Sequence, residues 1–192
     1  MKITTGHFNI FDILKFVAEH PLMPKRNVGE WKTYASLVSK IVHNVPDNQP
    51  GWYLWGRFNE IGWWETIYLG KAGSQKTSSL QQRLKDELSK ERVAFWATVY
   101  GREVATKMSH KLYDGKYVLN VQRSLRKSNT HFIVWLACSE ISEAEVNKEE
   151  NALIYFYRPA NNARRKKYPN RSDFTEQIYR AFEEEIDKIK TS

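Results

Sequence analysis

Apolar residues recur along the chain with two periods, and the places where the period changes divide it. Phe8, Phe11, Ile13, Leu14, Phe16 and Val17 fall at roughly helical spacing over 8–19, ahead of Pro21. Trp31, Tyr34, Leu37, Val38, Ile41 and Val42 repeat that pattern, and the polar run Pro46-Asp47-Asn48-Gln49-Pro50 reads as a turn closing a helical N-terminal arm, 1–49. From residue 51 the character changes. Trp52-Tyr53-Leu54-Trp55 and Trp64-Glu65-Thr66-Ile67-Tyr68-Leu69 are rich in aromatic and β-branched residues, and the polar segment Gly56 to Gly62 divides them. That pattern predicts a β-hairpin with a longish loop. Leu80, Leu84 and Leu88, at i, i+4 and i+8, predict an amphipathic helix over 79–91. Val93–Tyr100 and Tyr117–Val121 suit strand or helix equally.

Phe132 to Ala137 is apolar throughout, as a central strand covered on both faces requires. Ser142 to Tyr157 predicts a helix with Ser142 as its cap and Glu145 completing a capping box, ended by Pro159. A last helix over 173–190 carries the stripe Phe174, Ile178, Phe182, Ile186 and Ile189, with Asp173 and Glu176 as its capping signature. The sum is an α/β (mixed α+β) single domain: a small, mainly antiparallel sheet flanked by helices. A core over 50–163, with an insertion at about 91–130, follows the N-terminal arm, and a basic loop and C-terminal helix, 164–192, follow the core.

Charge narrows the class of partner. Thirty Lys and Arg against 22 Asp and Glu leave a net charge of +8 over 192 residues, which favours nucleic acid, an acidic protein or a membrane surface. The cluster Arg164-Arg165-Lys166-Lys167 with Arg171 is either a solvated loop or a phosphate-contacting surface. The single cysteine, Cys138, excludes an internal disulfide and a cysteine zinc cluster, and reads as a buried core thiol. No stretch approaches the roughly 18 apolar residues of a membrane span. The N-terminus lacks the cationic start and apolar run of a signal peptide, so the cytoplasm is the expected compartment.

Several polar residues stand where chemistry is expected. Glu150 shares a helical face with Val146, Leu153, Ile154 and Tyr157, where a carboxylate is costly unless it pairs with a Lys or Arg or binds a cation. Glu149, about a quarter turn away, is expected to stay in water. Tyr53 and Tyr68 lie on the two arms of the hairpin, so both hydroxyls can reach one side of the sheet, or simply fill it. Arg83 beside the Leu80/Leu84 edge can pair with Glu87 at i+4, a contact worth about 0.3–0.5 kcal/mol on a helix surface. Lys71, directly after the second strand, can lower the pKa of a nearby phenol. His43 and His131 lack partners at metal-ligand spacing.

Three stretches taken in order, Gly51-Trp52-Tyr53, then Tyr68-Leu69-Gly70-Lys71-Ala72-Gly73, then Glu150-Asn151-Ala152-Leu153-Ile154 running on to Pro159 and Asn162, resemble the core of the GIY-YIG nucleases, with Leu80-Gln81-Gln82-Arg83-Leu84 between the second and third. The resemblance covers roughly residues 50–163. It implies a stand-alone, restriction-type endonuclease acting on DNA, with RNA left open, and a single Mg²⁺ (Mn²⁺ as substitute) held by Glu150. It further implies Tyr53 as base or water-positioner, Tyr68 as hydrogen-bonding organiser, Lys71 as electrostatic support, Arg83 as the neutraliser of phosphate charge and Asn162 as a polar support. Where several family members carry a histidine one turn after the arginine, this chain has Glu87, and Lys85, Arg92 or His110 stand as substitutes. The unmatched segments are where target selection or homodimer contacts would reside. A nucleic-acid-binding module that keeps the fold without cutting, with Trp63, Trp64 or Trp96 stacking on bases, is the second expectation. A scaffold with a basic surface for another acidic partner is the third.

Overall fold

A computed structural model describes residues 2–13, 15, 28–73, 79–90, 130–160, 162 and 172–192. Four strands, β1 (Ile3–Asn9), β2 (Gly51–Phe58), β3 (Trp64–Ala72) and β4 (Phe132–Cys138), form one antiparallel sheet in the order β1-β4-β2-β3. Helices α1 (Val28–Ile41), α2 (Leu80–Lys90), α3 (Glu143–Tyr157) and α4 (Asp173–Thr191) flank it, with a 3₁₀ turn at Val42–Asn44. The mixed α+β expectation therefore holds.

β4 lies between β1 and β2, which explains its unbroken apolar run: both of its faces are covered. Ile133, Trp135 and Ala137 join a core with Tyr34 and Val38 of α1 and Leu80, Leu84 and Leu88 of α2. The alternate residues Val134, Leu136 and Cys138 join a second core with Val146 and Leu153 of α3 and Ile178, Phe182 and Ile186 of α4. Burial raises the Cys138 thiol pKa, in keeping with a core thiol.

The N-terminal arm departs from the expected pair of helices. Residues 3–9 are a strand that pairs along its whole length with β4, from Ile3 opposite Cys138 to Asn9 opposite Phe132. A central strand must satisfy the backbone donors and acceptors of both its edges, and β2 takes only one of them. Phe8 is thus an inward strand residue, and helical geometry begins only at Phe11. The second expected helix of the arm is α1.

The hairpin forms with a shorter loop than its polar composition implied, because β2 continues through a bulge at Trp55/Gly56 to Phe58. Asn59 organises the turn: its Oδ1 accepts from the backbone N–H of Ile61 (3.2 Å) and Trp63 (2.9 Å), while Gly62 takes the positive φ of 76°.

One buried carboxylate arrangement, where α3 meets the cap of α4, was not legible in the local patterns. The capping box of α3, Ser142 with Glu145, is present in both halves. On α4, however, the cap is Ser172 with Thr175, rather than Asp173 with Glu176. This cap also receives Glu149, which is 2 % exposed and accepts from Thr175 Oγ1 at 2.5 Å and Ser172 Oγ at 3.4 Å. Glu149, expected in water, is therefore the buried acid of α3, and Glu150 sits at the rim with 23 % of its side chain exposed. Donors from α4 reverse the order that α3's own periodicity implied. Replacing Thr175 with Val should leave Glu149 short of a buried donor and cost about 1–3 kcal/mol in denaturant unfolding; an unchanged midpoint would show that this contact does not anchor α4.

Candidate active site at the edge of strand β3

Gly51-Trp52-Tyr53 and Tyr68-Leu69-Gly70 are neighbours for a packing reason. Tyr53 on β2 stands opposite Gly70 on β3, and a Cβ at position 70 would collide with the Tyr53 ring. The aromatic thus needs its partner strand to be bare at that point. Tyr53 and Tyr68 share the face covered by α1 and α2, with ring centroids 6.4 Å apart.

From that face Tyr53 meets α2. Its hydroxyl, fully buried, donates to Glu87 Oε1 at 2.6 Å and accepts from Arg83 Nε at 3.3 Å. Arg83 Nη2 closes the triangle on Glu87 Oε1 at 2.8 Å. The i, i+4 pair expected on a helix surface is therefore a pair with one buried member: Glu87 is 1 % exposed, whereas Arg83 keeps 43 % of its side chain open. Glu87 is the residue that sequence reasoning undervalued. Its one available signal was its place beside Leu84 and Leu88 on the apolar face.

Electrostatics change the role open to Tyr53. Burial, then the Glu87 carboxylate and Tyr68, push its pKa well above the ordinary tyrosine value, and Arg83 opposes this incompletely. A phenol that donates to a buried carboxylate is held protonated at neutral pH. This environment favours an organising role over that of a base. Lys71 does not serve that phenol; its Nζ lies 3.9 Å from Glu150 Oε2.

Glu150 and Lys71 belong to the other side of the sheet. Lys71 has the parity of Leu69, whose side chain joins the core under α3, while Tyr68 and Ala72 face α2. Arg83 and Glu150 thus flank edge strand β3 from opposite faces. Asn162 ties that edge itself, accepting from Leu69 N–H and donating to Leu69 C=O, both at 2.9 Å. It holds backbone rather than a tyrosine hydroxyl. The structure brings together Tyr53, Tyr68 and Arg83 as one group and Lys71 with Glu150 as another, with Asn162 hydrogen-bonded to the β3 backbone at Leu69.

A single rim carboxylate, Glu150 beside Lys71, fits a hydrated Mg²⁺, which takes one or two carboxylates, waters and substrate oxygens rather than an all-protein cage. Among the described residues no group of three or more His, Cys, Asp or Glu is arranged to hold a metal. Arg164, Arg165, Lys166, Lys167 and Arg171 lie outside the described residues, as do Arg92, Trp96, His110 and the segment 91–129. No helix among the described residues is long and apolar enough to cross a membrane. No family model, curated protein or solved structure matches this chain.

The Tyr53 network carries a pH signature. Above about pH 10 an unfolded tyrosine ionises, while Tyr53 in the fold stays protonated, so the unfolded state binds fewer protons and stability falls as pH rises. Tyr53→Phe should cost about 1–3 kcal/mol at pH 7 by taking one buried donor from Glu87, which keeps Arg83, and should flatten this alkaline decline. Unfolding measured from pH 7 to 11 checks both, and a Tyr53 phenolate seen by ultraviolet titration near neutrality would refute the assignment.

Proposed function

We propose that the protein is a divalent-metal-dependent endonuclease that hydrolyses phosphodiester bonds of DNA, in the manner of a stand-alone restriction-type enzyme. The observation that carries this reading is the pairing of two half-sites across strand β3. A pinned but half-open guanidinium lies on one side, and a rim carboxylate with an ammonium lies on the other.

Each residue then has a physical task. Glu87 and Tyr53 hold Arg83 at its root, so the open part of the guanidinium meets phosphate oxygens with little rotamer entropy left to lose. Tyr68, partly buried beside Tyr53, belongs to the same group. Glu150 would hold Mg²⁺, whose chemistry is Lewis-acid stabilisation of phosphate charge and acidification of a bound water. Lys71, 3.9 Å from Glu150, adds positive charge for the phosphate. Asn162 fixes the β3 backbone between the two half-sites, a positioning role. The proton of the attacking water is not assigned to Tyr53, whose phenol is held protonated.

That last point favours, as a second reading, a module that binds nucleic acid through the same surface without cutting it. Incubation with mixed DNA substrates in Mg²⁺ or EDTA separates the two. Glu150→Gln should abolish metal-dependent fragments while leaving DNA affinity within about threefold, because one half-buried rim side chain adds little to uniform binding. Equal loss of cutting and binding would remove the metal role of Glu150, and no cutting by the native protein would favour the binding module.

A further inference from the structure

The most chemically distinctive cleft lies at the other end of β3. From Lys71 to Trp64 the strand advances seven residue steps, about 23 Å at 3.3 Å per residue. There the hairpin tip, the end of α3 and the C-terminal half of α4 enclose about 450 Å³. Its aromatic lining includes Phe58, Trp63, Trp64, Phe156 and Tyr179, and its acidic lining is Glu183 and Asp187. Trp63 is 70 % exposed, held at the mouth by the Asn59-organised turn.

Three features of this cleft agree on one class of ligand. First, aromatic side chains surround the space, and ring faces attract cations, more strongly when water is thinned out. Second, the acids are placed one turn apart on α4, so they reinforce each other's field. Third, Glu183 is held at a cost: burial raises its carboxyl pKa, the hydrogen bond from Tyr157 (2.9 Å) lowers it, and repulsion from Asp187 raises it again. A positive group between them would relieve both the desolvation and the repulsion. Lys190 also lines the cleft, at the Gly62 side, and its single charge leaves the acids in excess. In a chain of net charge +8, an acid-lined aromatic cleft is the opposite of a phosphate surface.

We propose that this cleft is a binding site for an organic cation, a guanidinium or substituted ammonium group, caged by Trp63 and its neighbouring rings and paired with Glu183 and Asp187. The cation is either a free small molecule or the side chain of a basic partner. Neither the site nor its test depends on the cleavage reading.

Methylguanidinium chloride, with N-methylurea as its neutral isostere, is the first probe, read by NMR at the Trp63 and Trp64 indole N–H signals of the full chain, with Trp64, which also lines the cleft, as the reporter in Trp63→Ala. Saturable binding in the millimolar range is expected for methylguanidinium, weakened at least about tenfold in N-methylurea, the equivalent of about 1.4 kcal/mol. Asp187→Asn and Trp63→Ala should each weaken it about threefold to tenfold; Trp63 is exposed, so its loss leaves the fold intact. Glu183→Gln, which keeps an acceptor for Tyr157, should act like Asp187→Asn. A capped Gly-Arg-Gly peptide binding about tenfold tighter than methylguanidinium would assign the site to a partner's arginine, and equal affinity would assign it to a free cation. Equal binding of the urea, indifference to both Asp187→Asn and Trp63→Ala, or preferential binding of a nucleoside would overturn the proposal.

Discussion

Glu87 is the constraint around which the hairpin face is organised. A carboxylate in this position loses its hydration, which costs several kcal/mol unless charge and hydrogen bonds replace it. The replacement comes from two elements, Arg83 on the same helix and Tyr53 on β2, and their geometry fixes how α2 sits on the sheet. The consequences spread outward. Tyr53 must lie flat over β3, which requires Gly70, and Tyr68 must share its face. The helix is held from its other side by the Tyr34 hydroxyl on the Leu88 carbonyl and by Gln81 Nε2 on the Val45 carbonyl at 2.8 Å. Arg83 is the residue left with one part bound and one part in solvent, the arrangement a phosphate-binding guanidinium needs.

The second buried carboxylate follows the same logic on the opposite face. Glu149 is satisfied by the hydroxyls that cap α4, so one set of hydrogen bonds both ends that helix and docks it on α3. In each case an acid on one helix takes at least one hydrogen bond from another element, Tyr53 of β2 for Glu87 and the cap of α4 for Glu149. Such pairings decide which residue faces inward, and they are invisible to a reading of one helix at a time.

That is where the sequence stopped being legible. Long apolar patterns are local, so α1, the hairpin, α2, β4 and the capping box of α3 could be read directly from spacing. β1 could not, because a seven-residue strand with one inward aromatic is specified by the open edge of β4 rather than by its own pattern. The order of Glu149 and Glu150 could not, because α4 decides it. Of the candidate site, Tyr53 and Tyr68 could be placed together from the hairpin pattern, and Arg83 joined them only through the family resemblance. The protonation of Tyr53 depends on Glu87 being buried, a tertiary fact. The Lys71–Glu150 contact and the Asn162 tie to Leu69 depend equally on how α3 and its following turn meet the sheet edge.

The central claim is that half-sites on opposite faces of the sheet act on one phosphate across the β3 edge. It is tested most directly by a double-mutant cycle on single-turnover DNA cleavage with Arg83→Lys, Glu150→Asp and the pair. Lysine keeps a charge for Glu87 while losing the planar fork, and aspartate keeps a carboxylate while moving it by one methylene. If both groups serve one transition state, the double variant should be scarcely slower than the worse single variant, since groups that act as a unit are strongly non-additive. Rate losses that multiply independently, or a native protein that cuts no DNA with Mg²⁺, would contradict it.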